Sequence, residues 1–227
     1  MSLYEAEKKE LLTSSLWLSQ SGYFGSLRGS GGNVSLRVSE TAMAITPSSI
    51  KYDELAVDDI CIVGLDNKAI DVKESLKPSV EAGLHIVIYT NRPDVRAVVH
   101  THQIYGSVFA IINTPIPALF DEVSFALGKT IDVIPYAISG SAELAVNVGT
   151  KLSNNANAYI IQNHGILALG KSLDKAILHA ELLEKVAHIY YLALTTGKPV
   201  CELPSAIAQL AASLRNSDVL EAKKKNK

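Results

Sequence analysis

Apolar and polar positions along this chain change period several times, and each change marks an element. Residues 4 to 22 carry Leu11, Leu12, Leu16 and Leu18 on one helical side, with Gly22 as a stop. "NVSLRVS" and "MAITPSS" then alternate as short strands, and "DICIVGLDNKAIDV" reads as strand, Asp-Asn turn and strand. "SVEAGLHIVIYTN" returns to helical spacing, with Ser79 and Glu81 expected in its first turn, and "DVRAVVHTH" is a strand. A helix over 105 to 113, a strand at "IDVIPYAI" and a helix at "SAELAVNVGTKLSNN" follow. "AYIIQNHGILALG" predicts two strands joined at a tight Asn-His-Gly turn. Leu173, Ile177, Ala180, Leu183, Ala187, Tyr190, Tyr191 and Leu194 form the inward stripe of a long helix closed by Gly197. The sum is an α/β chain with a largely antiparallel sheet covered by helices.

Length allows one sizeable core in the 227 residues, and no composition shift marks a linker. Residues 1–205 read as one domain, and 206–227 as a C-terminal helix with a charged tail. With 48% hydrophobic and 19% charged residues and a formal net charge of -2, the chain is neither disordered nor basic enough to suggest a nucleic-acid partner. Its lysines cluster only in the terminal "AKKKNK". No apolar run is long enough to span a bilayer, and the first residues lack a signal core. Two cysteines without a CxxC partner fit a reducing, cytoplasmic setting.

Candidate chemistry begins at "AVVHTHQ", where a hydrophobic strand finishes with His100 and His102. Residues i and i+2 of a strand face the same way about 6.5 Å apart, so both rings can meet one ion while Thr101 points away. Neutral imidazole is a favoured zinc ligand, and three protein ligands beside an open position make a catalytic zinc site. His164, in the "QNHGIL" turn, is the third candidate. His85, His179 and His188 fall on helices and read first as surface or satisfied core positions. His85, four residues after Glu81, also shares its helix face and is placed to orient its carboxylate by hydrogen bonding.

Three further segments add anion chemistry. "GSGGNVSLR", residues 29 to 37, offers glycine-permitted backbone and a nest of amide donors, "TPSS", residues 46 to 49, supplies hydroxyls, and "KPSVEAGLH" sets Ser79 and Glu81 at a helix start. Each alone has a plainer reading as a turn or a dipole-favoured cap.

Together and in order, "GNVSLR", "ITPSS", "KPSVE", "HTH" and "QNHG" resemble the motif series of the class II aldolase/adducin family from about residue 5 to residue 200. The resemblance implies a three-layer α/β/α fold around a mainly antiparallel sheet, assembled as a homotetramer with active sites between subunits. It matches the family's metal ligands to His100, His102 and His164, its catalytic carboxylate to Glu81, and its phosphate-binding positions to Gly32, Asn33, Ser48, Ser49 and Ser79. It implies one Zn2+ per subunit, with Mn2+ or Co2+ as substitutes, and a sugar-phosphate substrate. The implied reaction is cleavage of a ketose 1-phosphate, of the fuculose 1-phosphate kind, to dihydroxyacetone phosphate and an aldehyde through an enediolate. Val80 stands where the family usually has a second serine, and the family's proton-donating tyrosine from a neighbouring subunit falls near Asp121. Asp121 or Glu122 in "LFDEVSFALG" is therefore a candidate substitute acid across an interface, and Tyr105 is a third. The alternatives are a sugar-phosphate 4-epimerase, dehydratase or decarboxylase on the same site, or a metal-free, non-catalytic module of the adducin kind.

Overall fold

Eight strands form one sheet in this computed structural model, which describes residues 3–26 and 29–225. The last two residues of the charged tail lie outside that range. Helix α1 (Glu5–Gln20) leads into an antiparallel meander of β1 (Asn33–Arg37), β2 (Ala42–Ile45), β3 (Cys61–Gly64) and β4 (Ala69–Asp71). Then come α2 (Ala82–Asn91), β5 (Ala97–Thr101), α3 (Ile104–Ile111), α4 (Asp121–Leu127), β6 (Asp132–Ile134) and α5 (Ala142–Lys151). The chain continues through β7 (Ala158–Ile161), β8 (Gly165–Gly170), α6 (Leu173–Thr195) and α7 (Ser205–Lys225). Strand order is β4-β3-β2-β1-β5-β8-β7-β6, antiparallel throughout except for the parallel pair β6 and β7. The three-layer α/β/α reading of the sequence therefore holds.

Two boundaries differ from the sequence reading. The "IDVIPYAI" strand stops at Ile134 because Pro135 has no N–H to give to a ladder. Helix α2 begins at Ala82, leaving Glu81 at its N-cap and Ser79 ahead of it, not in the first turn. The cause lies in the preceding loop, where Pro78 bridges Pro47 and Ser79 N–H donates to the Thr46 carbonyl, holding this stretch extended.

Strand parity sorts the core into layers. In β5, Ala97 and Val99 pack with Leu11, Leu18, Leu173 and Ala180 beneath α1 and α6, whereas Val98 packs with Leu84, Ile88, Leu144 and Val148 beneath α2 and α5. Each such buried Val, Leu or Ile side chain contributes about 1.5–3 kcal/mol by leaving water. A further cluster around Phe109, Val123, Leu127, Ile160 and Leu183 fixes α3 and α4 against α6. The turn from α2 into β5 is locked by Arg92, whose guanidinium meets Asp94 through two hydrogen bonds of 2.8 Å and also reaches the Ala156 carbonyl and Asn157. Such a buried pair is tolerable because its donors are met.

The C-terminal helix α7 buries Ala208, Ala211 and Val219. Among the described residues no helix is long and apolar enough to cross a membrane.

Candidate metal centre and anion cleft

His100 continues the parity of Val98, so its ring lies on the α2 side of the sheet, fully buried. Its Nδ1–H donates to the Ile166 carbonyl on β8 at 2.9 Å, which fixes the tautomer and leaves a lone pair on Nε2. His102 lies just beyond the strand end, its backbone N–H held by the Tyr23 carbonyl, and its Nε2 sits 3.1 Å from His100 Nε2. His164 arrives from the β7–β8 turn, where Asn163 takes a left-handed φ of 53°. The turn can come this close only because of Gly165. A Cβ there would sit 2.5 Å from the Thr101 carbonyl oxygen and 2.6 Å from the His102 ring. Ring centroids are 4.7 Å apart for His100 and His164 and 5.4 Å for His102 and His164.

Glu81 closes the group from the N-cap of α2. One carboxylate oxygen lies 3.2 Å from His100 Nε2 and the other 3.3 Å from His164 Nε2. Asn33 Nδ2 donates to the first at 2.7 Å, and the Ser139 hydroxyl donates to the second at 2.8 Å. Burial works against ionisation of this carboxyl, but the His100 and His164 rings and the Asn33 and Ser139 hydrogen bonds outweigh it and hold Glu81 down at about 2. Burial, reinforced by the neighbouring His100 and His164 rings and opposed by Glu81, pushes His102 down to about 3. Burial also lowers His164. Burial thus favours the neutral, ligand-ready imidazole at His102 and His164, beside a carboxylate whose pKa is depressed.

The donor set fits a divalent cation. One ligand atom from each of His100, His102 and His164 lies within 4.8 Å of the others, and a tetrahedral zinc with Zn–N bonds of about 2.0–2.1 Å needs nitrogens about 3.3 Å apart. Two nitrogens are already at 3.1 Å, so modest closure of the third suffices. His164 Nδ1 is buried with no hydrogen-bond partner among the described residues, so no neighbouring carbonyl fixes the tautomer of that ring.

Beside the rings opens a cleft of about 230 Å³ lined by Ser30 to Asn33, Pro47 to Ser49, Ser79 to Glu81, His102, Ser139 and His164. Two loops are zipped along one wall by Ser48 N–H to the Lys77 carbonyl at 2.8 Å and by Ser79 N–H to the Thr46 carbonyl at 3.1 Å. Gly32 adopts φ 66° where a Cβ would strike the Phe24 ring at 2.3 Å, and the Tyr52 hydroxyl holds the Gly32 carbonyl at 3.0 Å. Ser49, with φ 64°, occupies a region that non-glycine residues rarely adopt, a strain that clusters at functional sites.

Eight of the nine motif positions, Gly32, Asn33, Ser48, Ser49, Ser79, Glu81, His102 and His164, line one cleft, and the ninth, His100, meets Glu81 at 3.2 Å. Ser48 plays a different part from the one expected of a phosphate-binding hydroxyl. It donates to the Pro78 carbonyl at 2.9 Å and accepts from Val80 N–H at 3.1 Å, so its proton is committed to bracing the wall. Asp121 and Glu122 start α4 as exposed residues outside this cleft, and Glu122 pairs with Lys185 at 3.2 Å. Tyr105 stacks on His188 with centroids 3.7 Å apart. His85 does not touch Glu81 directly, because Asn33 stands between them. Ser139 was missed by the sequence reading. Its only local signal is the "SGS" stretch, whose Ser141 caps α5, and nothing in that stretch points to a carboxylate 58 positions away.

Comparison with known proteins agrees with this geometry. The profile of the Class II Aldolase and Adducin N-terminal domain matches residues 9–191. An L-fuculose phosphate aldolase of Escherichia coli is 36% identical over 173 residues, covering 76% of this chain and 78% of that protein. A 5-deoxy-D-ribulose 1-phosphate aldolase of Bacillus thuringiensis serovar kurstaki is 31% identical over 198 residues, covering 87% and 90%. The solved structure of an L-fuculose 1-phosphate aldolase superposes with a TM-score of 0.85 at 32% identity, covering 94% of this chain and 97% of that one. The chain belongs to the class II aldolase and adducin family, as an enzyme of its aldehyde-lyase branch.

Proposed function

We propose that this aldolase cleaves a small ketose 1-phosphate to dihydroxyacetone phosphate and an aldehyde. The observation that carries the reading is Glu81, an ionised and buried carboxylate set between the metal-ligating rings on one side and an anion-sized cleft on the other. His100, His102 and His164 would hold Zn2+, or Mn2+ or Co2+ in its place, through imidazole nitrogens. When bound, such a cation supplies a Lewis acid that stabilises negative charge developing beside the substrate carbonyl. Glu81 then moves the proton at the reacting carbon, within a buried site where general-base catalysis is worth about 10²–10⁴-fold. The Gly32 and Asn33 backbone and the Ser49 and Ser79 hydroxyls receive the phosphate, with Ser48 bracing the wall behind them. Holding the phosphate at a fixed distance from Glu81 makes proton transfer intramolecular in effect.

Relatives acting on L-fuculose 1-phosphate and 5-deoxy-D-ribulose 1-phosphate support a ketose 1-phosphate as the substrate class. A second reading, chemistry on the same site without carbon–carbon cleavage, is favoured by one observation: among the described residues the cleft lining holds, apart from Glu81, no carboxyl or phenol to take the proton from the hydroxyl that becomes the aldehyde oxygen. On the aldolase reading that proton goes to Asp121 or Glu122 of a neighbouring copy in a homotetramer, an assembly that the exposed Ile104, Ile111 and Ile138 support. The unpaired Cys61 and Cys201 support a cytoplasmic setting.

The test is to incubate metal-loaded protein with fuculose, ribulose and 5-deoxyribulose 1-phosphates and follow dihydroxyacetone phosphate with a coupled reductase. Triose phosphate release supports the aldolase. An epimerised, dehydrated or decarboxylated product without triose moves the assignment to the second reading. Asp121→Asn and Glu122→Gln variants then identify the proton acceptor by loss of kcat with metal content intact.

A further inference from the structure

Behind Glu81 a strand and a helix interleave their polar residues. Asn33 and Ser35 share the α2-facing side of β1, about 6.6 Å apart by strand geometry, while Glu81, His85 and Tyr89 recur every four residues along α2, about 6 Å apart by helical rise. The near-match of the two repeats lets the side chains alternate in one continuous row. Asn33 bridges Glu81 at 2.7 Å and His85 at 2.5 Å, and Ser35 bridges His85 at 2.6 Å and Tyr89 at 2.7 Å. All five residues are at least nine-tenths buried, so water cannot substitute for any member.

A single requirement sets the direction of every bond in the row. An ionised Glu81 only accepts, so Asn33 must turn its NH₂ toward it and its carbonyl toward His85. His85 must then donate from Nε2, which makes Nδ1 an acceptor for the Ser35 hydroxyl, and Ser35 accepts in turn from Tyr89. Burial keeps the His85 ring neutral, as this pattern needs. Were the ring to carry its proton on Nδ1, the favourable partner for Nε2 would be the Asn33 amide, and a carbonyl oxygen would face the Glu81 carboxylate.

We infer that His85 is a positioning residue for the base: acting through Asn33, with Ser35 and Tyr89 behind it, it fixes the amide orientation that aims and holds Glu81. This deepens the proposed reaction and rests on that reading for its kinetic consequence, but the bond directions do not depend on it. The cleft is lined by Ser79, Glu81 and Ser139 but not by His85, whose ring nitrogens bond to Ser35 and Asn33.

Two measurements test this. In metal-free protein labelled with ¹⁵N-histidine, long-range ¹H–¹⁵N correlation should show His85 as the neutral Nε2–H tautomer at pH 7, with no substrate needed. An Nδ1–H tautomer or a charged ring overturns the inference whatever the enzyme does. In metal-loaded enzyme, His85→Leu should lower kcat about 10- to 100-fold with KM changed under about threefold and metal stoichiometry retained, and His85→Gln, which can still donate to Asn33, should recover much of it. In an Asn33→Ala background the same His85→Leu change should cost less than about twofold, the non-additivity of residues acting through one another. Equal losses in both backgrounds overturn the inference. A wild-type protein inactive on every ketose phosphate but showing the Nε2–H tautomer would support the directed row while removing the proposed reaction.

Discussion

Glu81 Oε2 and His100 Nε2 lie 3.2 Å apart although the first belongs to a helix cap and the second to a central strand. The carboxylate is thus close enough to the rings to share their charge environment, yet tethered independently by Asn33 and Ser139. This separates holding a metal from moving a proton, so each role has its own experiment.

Replacing the base isolates the proton transfer. Glu81→Gln keeps the size and one acceptor oxygen but cannot take a proton at neutral pH. The expected result is a metal content equal to wild type and a kcat lower by about 10²–10⁴-fold. Atomic absorption beside the coupled triose assay checks both, and an active Glu81→Gln enzyme would put the base elsewhere.

Removing a ligand ring affects affinity and stability together. A cation bound only by folded protein stabilises it by about 2.7 kcal/mol at a hundredfold excess over Kd, so chelator should lower the wild-type melting temperature. His100→Ala, lacking the most buried of the three ligands, should contain no stoichiometric metal, and its melting temperature should not respond to chelator.

Acid should destabilise the metal-free protein through His85. Burial, reinforced by the His100 ring and opposed by Glu81, holds this ring at about 3, against about 6.5 in an unfolded chain. The unfolded state therefore takes up a proton that the folded state refuses, and stability falls as pH drops from about 6.5 toward 3, by about 1.4 kcal/mol per pH unit from this group. Urea titrations of metal-free wild type and His85→Gln across pH 7 to 5 should diverge with that slope. Parallel curves would show that the ring charges freely in the fold.

The glycine after His164 has no room for a side chain. Gly165→Ala places a methyl against the Thr101 carbonyl oxygen and the His102 ring, neither of which is a flexible chain end. Overpacking of this kind costs about 1–3 kcal/mol, and here the displaced groups include His102, a proposed metal ligand. Lower stability with weakened metal affinity is expected, and a variant with wild-type metal content and melting temperature would contradict the close approach.

Val80 is 67% exposed at the rim of the anion cleft, beside Ser79. Val80→Ser would offer one more hydroxyl to a phosphate. Since a hydrogen bond to a charged group contributes about 1.5–3 kcal/mol when well placed and less at an exposed rim, a drop in KM of about 3- to 10-fold with kcat little changed is expected. Inhibition by inorganic phosphate should strengthen in parallel. If neither changes, the phosphate does not reach this part of the rim.

What the sequence by itself determined were features with a local period. His100 and His102 are two residues apart across the end of β5, a spacing that predicts rings on one side, and their Nε2 atoms lie 3.1 Å apart. The Asn-His-Gly turn required a tight reversal, and "QNHG" supplies it through Asn163 at positive φ and Gly165 without a Cβ. The three-layer arrangement was implied by the motif series and not by alternation, because central strands such as β5 are buried on both faces. Tertiary structure alone decided the rest. The order of strands brings β1 beside β5, so Asn33 pairs in register with His100 across 67 positions, a relationship no local pattern encodes. The start of α2 was set by the Pro47 and Pro78 bridge and not by helix propensity, which moved Glu81 from an expected first turn to a cap facing the rings. Ser139 reached Glu81, and His85 acquired Asn33 as its intermediary, because burial leaves polar groups no water and forces each to find a partner wherever the packed chain presents one.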